Sequence, residues 1–160
     1  RDGVEVRTNI DFNELKSTWR TIAKKLVYTG AIDELFDYQF GELEYRSLKF
    51  ETKVLDIDNF QGTSNINYTD KDVPYTRITE HKWFSPKETK QTVITYEYPD
   101  TWQRGKERYY PIDNDKNKQL YNRYLSIMPN DILGGGRMFL NRYLDMDDTV
   151  AIALKDVKKL

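Results

Sequence analysis

Four stretches between residues 45 and 98 alternate side-chain character with a period of two. They are Tyr45-Arg-Ser-Leu-Lys-Phe-Glu-Thr-Lys-Val-Leu55, Asn65-Ile-Asn-Tyr-Thr69, Tyr75-Thr-Arg-Ile-Thr-Glu-His81 and Thr92-Val-Ile-Thr-Tyr-Glu-Tyr98. Runs of this kind, rich in β-branched and aromatic residues and separated by turn residues, are strands. Four in succession predict an antiparallel sheet. In the first run Leu48 and Phe50 share a face, while Arg46 and Lys49 fall on opposite faces. Pro74 breaks the ladder at the start of the third run, because proline has no N–H to donate. His81, the only histidine, closes that run and reads as an ordinary half-buried strand residue.

The flanks follow a different rhythm. Val4 and Val6 alternate with charges and predict a strand over residues 4–7. Asp11 can cap a helix, with Glu14 three residues on as in a capping box, and Leu15, Trp19 and Ile22 continue its apolar face. Lys25–Gly30 reads as a short strand and Ala31–Phe36 as a short helix. Strand, helix, strand, helix is the order of a parallel α/β layer. Gly30 stands at a strand's carboxyl end, where such layers hold ligands; an ordinary turn glycine fits equally well. Residues 99–112 form a connection rich in Pro, Trp and Tyr. A helix over Asp113–Leu125 follows, with Leu120, Tyr121, Tyr124 and Leu125 on one face and Pro129 beyond its end. Ile132 and Leu133 make a last strand, which runs into Gly134-Gly-Gly-Arg137. Asp145 then stands as the N-cap of a final helix, with Asp147 and Asp148 in its first turn. Val150, Ala153, Leu154 and Val157 recur at helical spacing, and Lys155, Lys158 and Lys159 load its end.

The expected fold is therefore mixed α+β and α/β: an antiparallel sheet plus the incomplete C-terminal part of a dinucleotide-binding α/β layer. Residues 1–42 supply the end of that layer, 43–112 the antiparallel region, and 113–160 the return to the layer with its C-terminal helix. The chain opens at Arg1 without an initiator Met and in a strand-like pattern, which reads as a piece excised from something longer.

Bulk properties remove several classes of function. With 160 residues the chain can bury a core; apolar content is a modest 38%, but 12 of those residues are tyrosines, whose rings pack while their hydroxyls find partners. A net charge of −1 argues against a general nucleic-acid or membrane electrostatic partner. There is no cysteine, hence no disulfide, thiolate nucleophile or zinc–thiolate site, and one histidine gives no His-rich metal site. No apolar run approaches the ~20 residues that span a bilayer, and no signal peptide is visible. A cytoplasmic location is expected.

The side chains with chemistry to offer are arginines, tyrosines and one carboxylate. Arg46, Arg77, Arg137 and Arg142 lie in or beside the ordered motifs, and a guanidinium fork suits phosphate. Surface charge is the alternative for each. Arg77, between Thr76 and Ile78 in a predicted strand, is the one a packed sheet would hold most rigidly. Tyr109, Tyr110 and Tyr143 can give hydroxyls to phosphate or sugar, or simply pack. Asp145 can be a cap alone. No nucleophile–base triad and no carboxylate pair emerges from spacing, and no Gly-x-Gly-x-x-Gly is present.

Longer strings carry a resemblance. They include Tyr28-Thr-Gly-Ala-Ile-Asp33, Leu43-Glu-Tyr-Arg-Ser-Leu-Lys-Phe-Glu-Thr52, Asn59-Phe-Gln-Gly62 and Val73-Pro-Tyr-Thr-Arg-Ile78. Glu80-His-Lys82, Glu97-Tyr-Pro99, Tyr109-Tyr-Pro111, Gly135-Gly-Arg137 and Tyr143-Leu-Asp-Met146 follow in order. In these strings nearly the whole chain resembles the C-terminal part of the bacterial UDP-galactopyranose mutase family. That resemblance implies a flavoprotein that interconverts UDP-galactopyranose and UDP-galactofuranose, the latter for cell-surface polysaccharide. It implies FAD in its reduced state, whose N5 forms an adduct with the anomeric carbon while UDP leaves and returns. The cofactor would carry the covalent chemistry and the protein the positioning.

By the same resemblance, Arg77 grips the substrate diphosphate, Tyr110 and Tyr143 hold phosphate, and Asp145 lies near sugar and flavin. Arg46 is a second arginine of the cleft; Arg137 and the backbone around Met146 contact flavin, and Gly30 ends the strand at the flavin site. No metal is implied, and a homodimer is possible for the complete enzyme. Three positions depart from the family pattern: Ala31 for a proline, Gly134 for an aromatic, and Trp83 for a second histidine. The dinucleotide fingerprint and the uridine-stacking residues have no counterpart in this sequence, so half a site is expected, inactive and without FAD when isolated. The competing readings are a non-catalytic module that binds a nucleotide sugar and a purely structural domain.

Overall fold

The computed structural model describes residues 3–85 and 88–159, the side chain of Lys159 apart. The Arg1–Asp2 opening and the Lys159 side chain therefore lie outside the described residues. The elements in order are α1 (Phe12–Leu15), β1 (Leu26–Tyr28), α2 (Ile32–Leu35), β2 (Tyr45–Leu55), β3 (Asn65–Asn67) and β4 (Arg77–Glu80). Then come β5 (Thr92–Thr101), β6 (Tyr110–Pro111), α3 (Asp115–Leu125), β7 (Ile132–Gly134), α4 (Gly136–Phe139) and α5 (Met146–Asp156). The architecture is mixed α+β, with an antiparallel and a parallel sheet. Two compact units are formed: Glu44–Ile112, and Arg1–Leu43 with Asp113–Leu160.

In the first unit the strand order is β3-β4-β5-β2-β6, and every neighbouring pair is antiparallel. β2 covers the longest alternating run residue for residue and pairs with β5 from Arg46↔Thr101 to Leu55↔Thr92 without a bulge. This unbroken register fixes the faces. Tyr45, Ser47, Ile78, Glu80, Thr92 and Ile94 all point one way and are buried. Arg46, Phe50, Thr52, Val54 and Val93 point the other way and are exposed.

Glu80 is a charged group within that core. Its carboxylate accepts the backbone N–H groups of Phe60 (3.0 Å) and Gln61 (2.9 Å) and the Thr92 hydroxyl (2.8 Å), tying the loop after β2 to the sheet. Burial works to raise its pKa, but these hydrogen bonds to the ionised form outweigh burial and lower it to about 2.

Two expectations for this unit are corrected. Tyr110–Pro111, read as part of a connection, pairs with β2 at the sheet edge. A two-residue strand has no period to detect, and proline is tolerated there because the flanking N–H groups of Tyr109 and Ile112 reach Arg46 O and Glu44 O instead. His81 is not a half-buried strand residue. It is exposed at the start of the 3-10 turn His81–Phe84, with Nε2 2.8 Å from Thr95 Oγ1.

In the second unit β1 and β7 run parallel, from Leu26↔Ile132 to Tyr28↔Gly134. α3 starts where Asn114 caps the Asn117 N–H, and it buries Tyr124 completely between Phe36 and Phe40. The Tyr124 hydroxyl donates to Gly41 O (2.6 Å) and accepts from the Phe40 N–H (3.0 Å), so the ring packs and its polar end is satisfied. Asp33, also buried, accepts the N–H groups of Glu34 and Leu43.

Two expectations fail in this unit, and α5 covers a side that its spacing does not single out. Residues 4–7 form no strand; Val4 and Val6 are 66% and 79% exposed, and among the described residues no strand pairs with them. The helix from Asp11 stops at Leu15, and a 3-10 turn takes over at Trp19–Thr21. Asp11 does cap it, accepting from the Asn13 N–H. The hydroxyls of Thr18 and Thr21 then bond back to the carbonyls of Leu15 and Thr18, competing with regular helix. Finally, the apolar stripe of α5 does not face a core: Val150, Leu154 and Val157 are all more than half exposed. Thr149, Ile152 and Asp156 form its less exposed side, since two parallel strands of three residues offer too little apolar surface to cover the whole stripe. No helix of the described residues is long and apolar enough to cross a membrane.

Candidate functional site

The open face of the antiparallel sheet carries three of the sequence-selected residues. Arg46 pairs across strands with Tyr110 on one side and Thr101 on the other. Arg77 pairs with Glu97, which pairs with Phe50. Because side chains alternate, Arg46 and Phe50, four residues apart on β2, point the same way, and so do their partners. Arg46, Tyr110 and Arg77 thus share a face, with Tyr109 edge-on to Phe50 beside them (5.7 Å between ring centres).

Arg77 is held from both sides. Its Nε donates to Asn67 Oδ1 at 2.9 Å, and its Nη1 lies 3.6 Å from Glu97 Oε2. Asn67 and Glu97 are its register partners on β3 and β5, so the sheet itself delivers both. The Arg77 side chain is 40% exposed and that of Glu97 14%: a guanidinium at the surface with a sheltered carboxylate behind it. Sequence reasoning missed Asn67 and Glu97. The signal available was the β3–β4 hairpin, which sets Asn67 opposite Arg77 once the register is known.

The remaining sequence-selected residues, Gly30, Arg137, Arg142, Tyr143, Asp145 and Met146, belong to the second unit, and Gly30 and Arg137 follow the carboxyl ends of its parallel strands. Gly30 follows β1, and a Cβ there would collide with the Tyr28 ring. Gly135 extends the ladder by donating to Tyr28 O (3.0 Å), and Gly136 turns the chain into α4 with φ +77°. Arg137 lies in α4, its guanidinium 4.8 Å from the centre of the exposed Tyr143 ring. α4 is a turn of helix that the glycine-rich sequence does not announce. Next to these strand ends a cavity of about 390 Å³ is lined by Val27, Thr29, Leu133, Gly134–Gly136, the Thr149–Asp156 side of α5 and Val157 just beyond it.

Asp145 occupies the N-cap position of α5 with extended backbone, but its carboxylate does not cap the helix; its backbone carbonyl accepts from the N–H and hydroxyl of Thr149. The Asp145, Asp147 and Asp148 carboxylates stand within 4.8 Å of one another, all exposed. Met146 is 87% exposed. The first turn of α5 therefore combines free helix N–H groups with crowded negative charge, a setting that favours a neutral acceptor over a phosphate.

The chain is thus a mixed α+β protein in which guanidinium and phenol groups share the sheet face of one unit and glycines corner the parallel strand ends of the other. A family model described as UDP-galactopyranose mutase matches residues 1–143, and the chain belongs to that family. It is 44% identical over 131 residues to a probable UDP-galactopyranose mutase of Klebsiella pneumoniae, covering 80% of this chain and 34% of that protein. It is 35% identical over 161 residues to the UDP-galactopyranose mutase of Mycoplasma pneumoniae (95% and 40%). It is also 35% identical over 159 residues to the dTDP-fucopyranose mutase of Escherichia coli (92% and 42%). The chain thus spans between a third and a half of the length of these relatives.

Proposed function

We propose that this chain is the C-terminal part of a flavin-dependent UDP-galactopyranose mutase, which exchanges the pyranose and furanose forms of a UDP-linked galactose. The observation that carries the reading is the register that sets Arg46, Tyr110 and Arg77 on one open sheet face. In this reading Arg77 grips the diphosphate, Tyr110 and Tyr143 donate hydroxyls to it, and Arg46 adds a second positive charge. Charge that grows on the departing phosphate is stabilised by groups already in place, so little reorganisation is needed in the transition state.

The residues around the parallel strand ends fit a flavin. Gly135 has open space where a Cβ would stand, and α5 starts without a side-chain cap. Gly30, Arg137 and the backbone at Met146 would hold the ring system, with a carbonyl at the helix start. When bound and reduced, FAD supplies the electron-rich centre that reacts with the anomeric carbon. Asp145, its carboxylate unspent on capping, stands by the sugar and balances positive charge there. UDP-sugars are small and soluble, and a cytoplasmic enzyme working as a homodimer suits the proposal.

The experiment is turnover by the complete mutase containing this chain, with FAD reduced chemically. UDP-galactofuranose should convert to UDP-galactopyranose, faster than the corresponding dTDP-fucose substrate converts. Binding of UDP-galactose without any conversion under reducing conditions would replace the enzyme with a nucleotide-sugar-binding module.

A further inference from the structure

We infer that Asn67 is a positioning residue: it fixes the plane of the Arg77 guanidinium and so decides which edge of it meets the ligand diphosphate. This deepens the proposed function and rests on Arg77 being the diphosphate grip.

A guanidinium can offer an anion either of two two-pronged edges, the side edge containing Nε or the end edge made by the two Nη groups. In this structure the Nε–H is already committed to Asn67 Oδ1 at 2.9 Å. The side edge is thereby used internally, and the end edge is what remains for phosphate. Glu97 Oε2, 3.6 Å from Nη1, is close enough to attract but beyond hydrogen-bond distance. The pair that orients Arg77 is therefore the neutral amide, and the carboxylate supplies charge balance from a sheltered position.

The anchoring is directional because it comes from the sheet. Asn67 faces Arg77 across the β3–β4 ladder, and Ile66 and Ile78 form the adjacent pair, with Ile78 buried on the opposite face. Two residues away the same ladder makes a similar cross-strand bond, from Thr79 Oγ1 to Asn65 Oδ1 at 2.8 Å. That bond touches no arginine, and so it serves as an internal control for the general cost of losing a polar link between these strands.

The test is a double-mutant cycle in the complete mutase, using UDP as the binding probe together with turnover under reducing conditions. Asn67→Ala should weaken UDP binding about three- to tenfold, the range expected when one hydrogen bond to a charged group is lost indirectly, and should lower kcat as well. Asn67→Asp keeps an acceptor at the same position and should recover part of the orientation. In an Arg77→Ala background, Asn67→Ala should have no further effect on UDP affinity. Asn65→Ala should leave UDP affinity within twofold and bound flavin unchanged. Additive losses from Asn67→Ala and Arg77→Ala would show that Asn67 touches the ligand itself or acts through the fold, and the inference would be overturned. Equal losses from Asn65→Ala and Asn67→Ala would overturn it in favour of general strand stability. If Arg77→Ala binds UDP as tightly as the wild type, the underlying diphosphate assignment falls; if Arg77→Ala is weak but Asn67→Ala is normal, only the positioning role falls.

Discussion

Two charged residues in the antiparallel sheet, Arg77 and Glu80, are three positions apart and meet opposite environments. Arg77 points to the open face and Glu80 to the core. For Arg77, a lysine can replace the charge but not the planar fork. In the complete mutase Arg77→Ala should lower both UDP affinity and turnover, with a cost of about 1.5–3 kcal/mol in binding. Arg77→Lys should restore part of each, with flavin content unchanged in both. Unaltered turnover and affinity in Arg77→Ala would mark the residue as a surface charge.

Glu80 is a prediction about stability. Its folded pKa, about 2, lies below the unfolded value of 4.5. A group with a depressed pKa stabilises the fold above its unfolded pKa, and that contribution is lost as pH falls through the folded one. Glu80→Gln leaves one oxygen to accept what two accept now and should cost on the order of 2 kcal/mol at neutral pH. Denaturant titrations of both proteins should show a gap that is constant above about pH 5 and narrows from about pH 4.5 towards 2. A gap that does not change with pH would mean that charge is irrelevant to the role of Glu80.

Among the elements, the turn from β7 into α4 is the most demanding of sequence. The resemblance puts an aromatic at position 134, yet this chain has glycine there. The structure gives the reason: the ring of Phe139, itself buried, fills the space that a Cβ at residue 134 would enter, and it packs edge-on against Tyr28. Gly134→Ala should therefore destabilise by about 1–3 kcal/mol through overpacking. In a Phe139→Ala background the same substitution should cost under about 1 kcal/mol, since neighbours that compete for one space are not additive. Thermal unfolding of the two singles and the double decides it; additive costs would refute the shared space. The helix of α5 teaches a related lesson. Its heptad-like apolar spacing is plain in the sequence, but which side is covered depends on what lies opposite, and here it is the Thr149–Ile152–Asp156 side.

For the molecule as a whole, the two units are unequally secured. Ten consecutive residue pairs join β2 and β5, whereas β1 and β7 share three. Small parallel sheets have few bonds per strand and are ordinarily buried on both faces. Amide hydrogen exchange on the isolated chain should be slowest in β2 and β5 and fast in β1 and β7. Protection that is uniform across both sheets would contradict this. Val27, Met146, Val150 and Leu154 are exposed in the second unit, and the chain lacks the glycine-rich pyrophosphate turn that anchors a dinucleotide. The isolated chain should consequently elute from gel filtration without flavin absorbance and should self-associate as its concentration rises. A coloured, monodisperse monomer would overturn both expectations.

The sequence by itself determined the local rules. Period-two alternation set the long strands, to the residue in β2, because each side chain's choice between core and water is made locally. Asp11 and Asn114 capped their helices, and glycines ended the parallel strands, for equally local reasons of hydrogen bonding and backbone freedom. The family was legible too, in strings such as Val73-Pro-Tyr-Thr-Arg-Ile78. What only the tertiary structure decided depends on partners far away in the chain. Val4 and Val6 have a strand's pattern but no strand among the described residues to pair with, and Tyr110–Pro111 has no pattern yet finds an edge. Arg46, Arg77 and Tyr110 could be picked out one at a time, but their common face follows from cross-strand register. Asn67 became visible as the partner of Arg77 only when that register placed the two side by side. Register is a relation between strands, set by the summed burial and hydrogen bonding of the whole ladder, and no single stretch of sequence contains it.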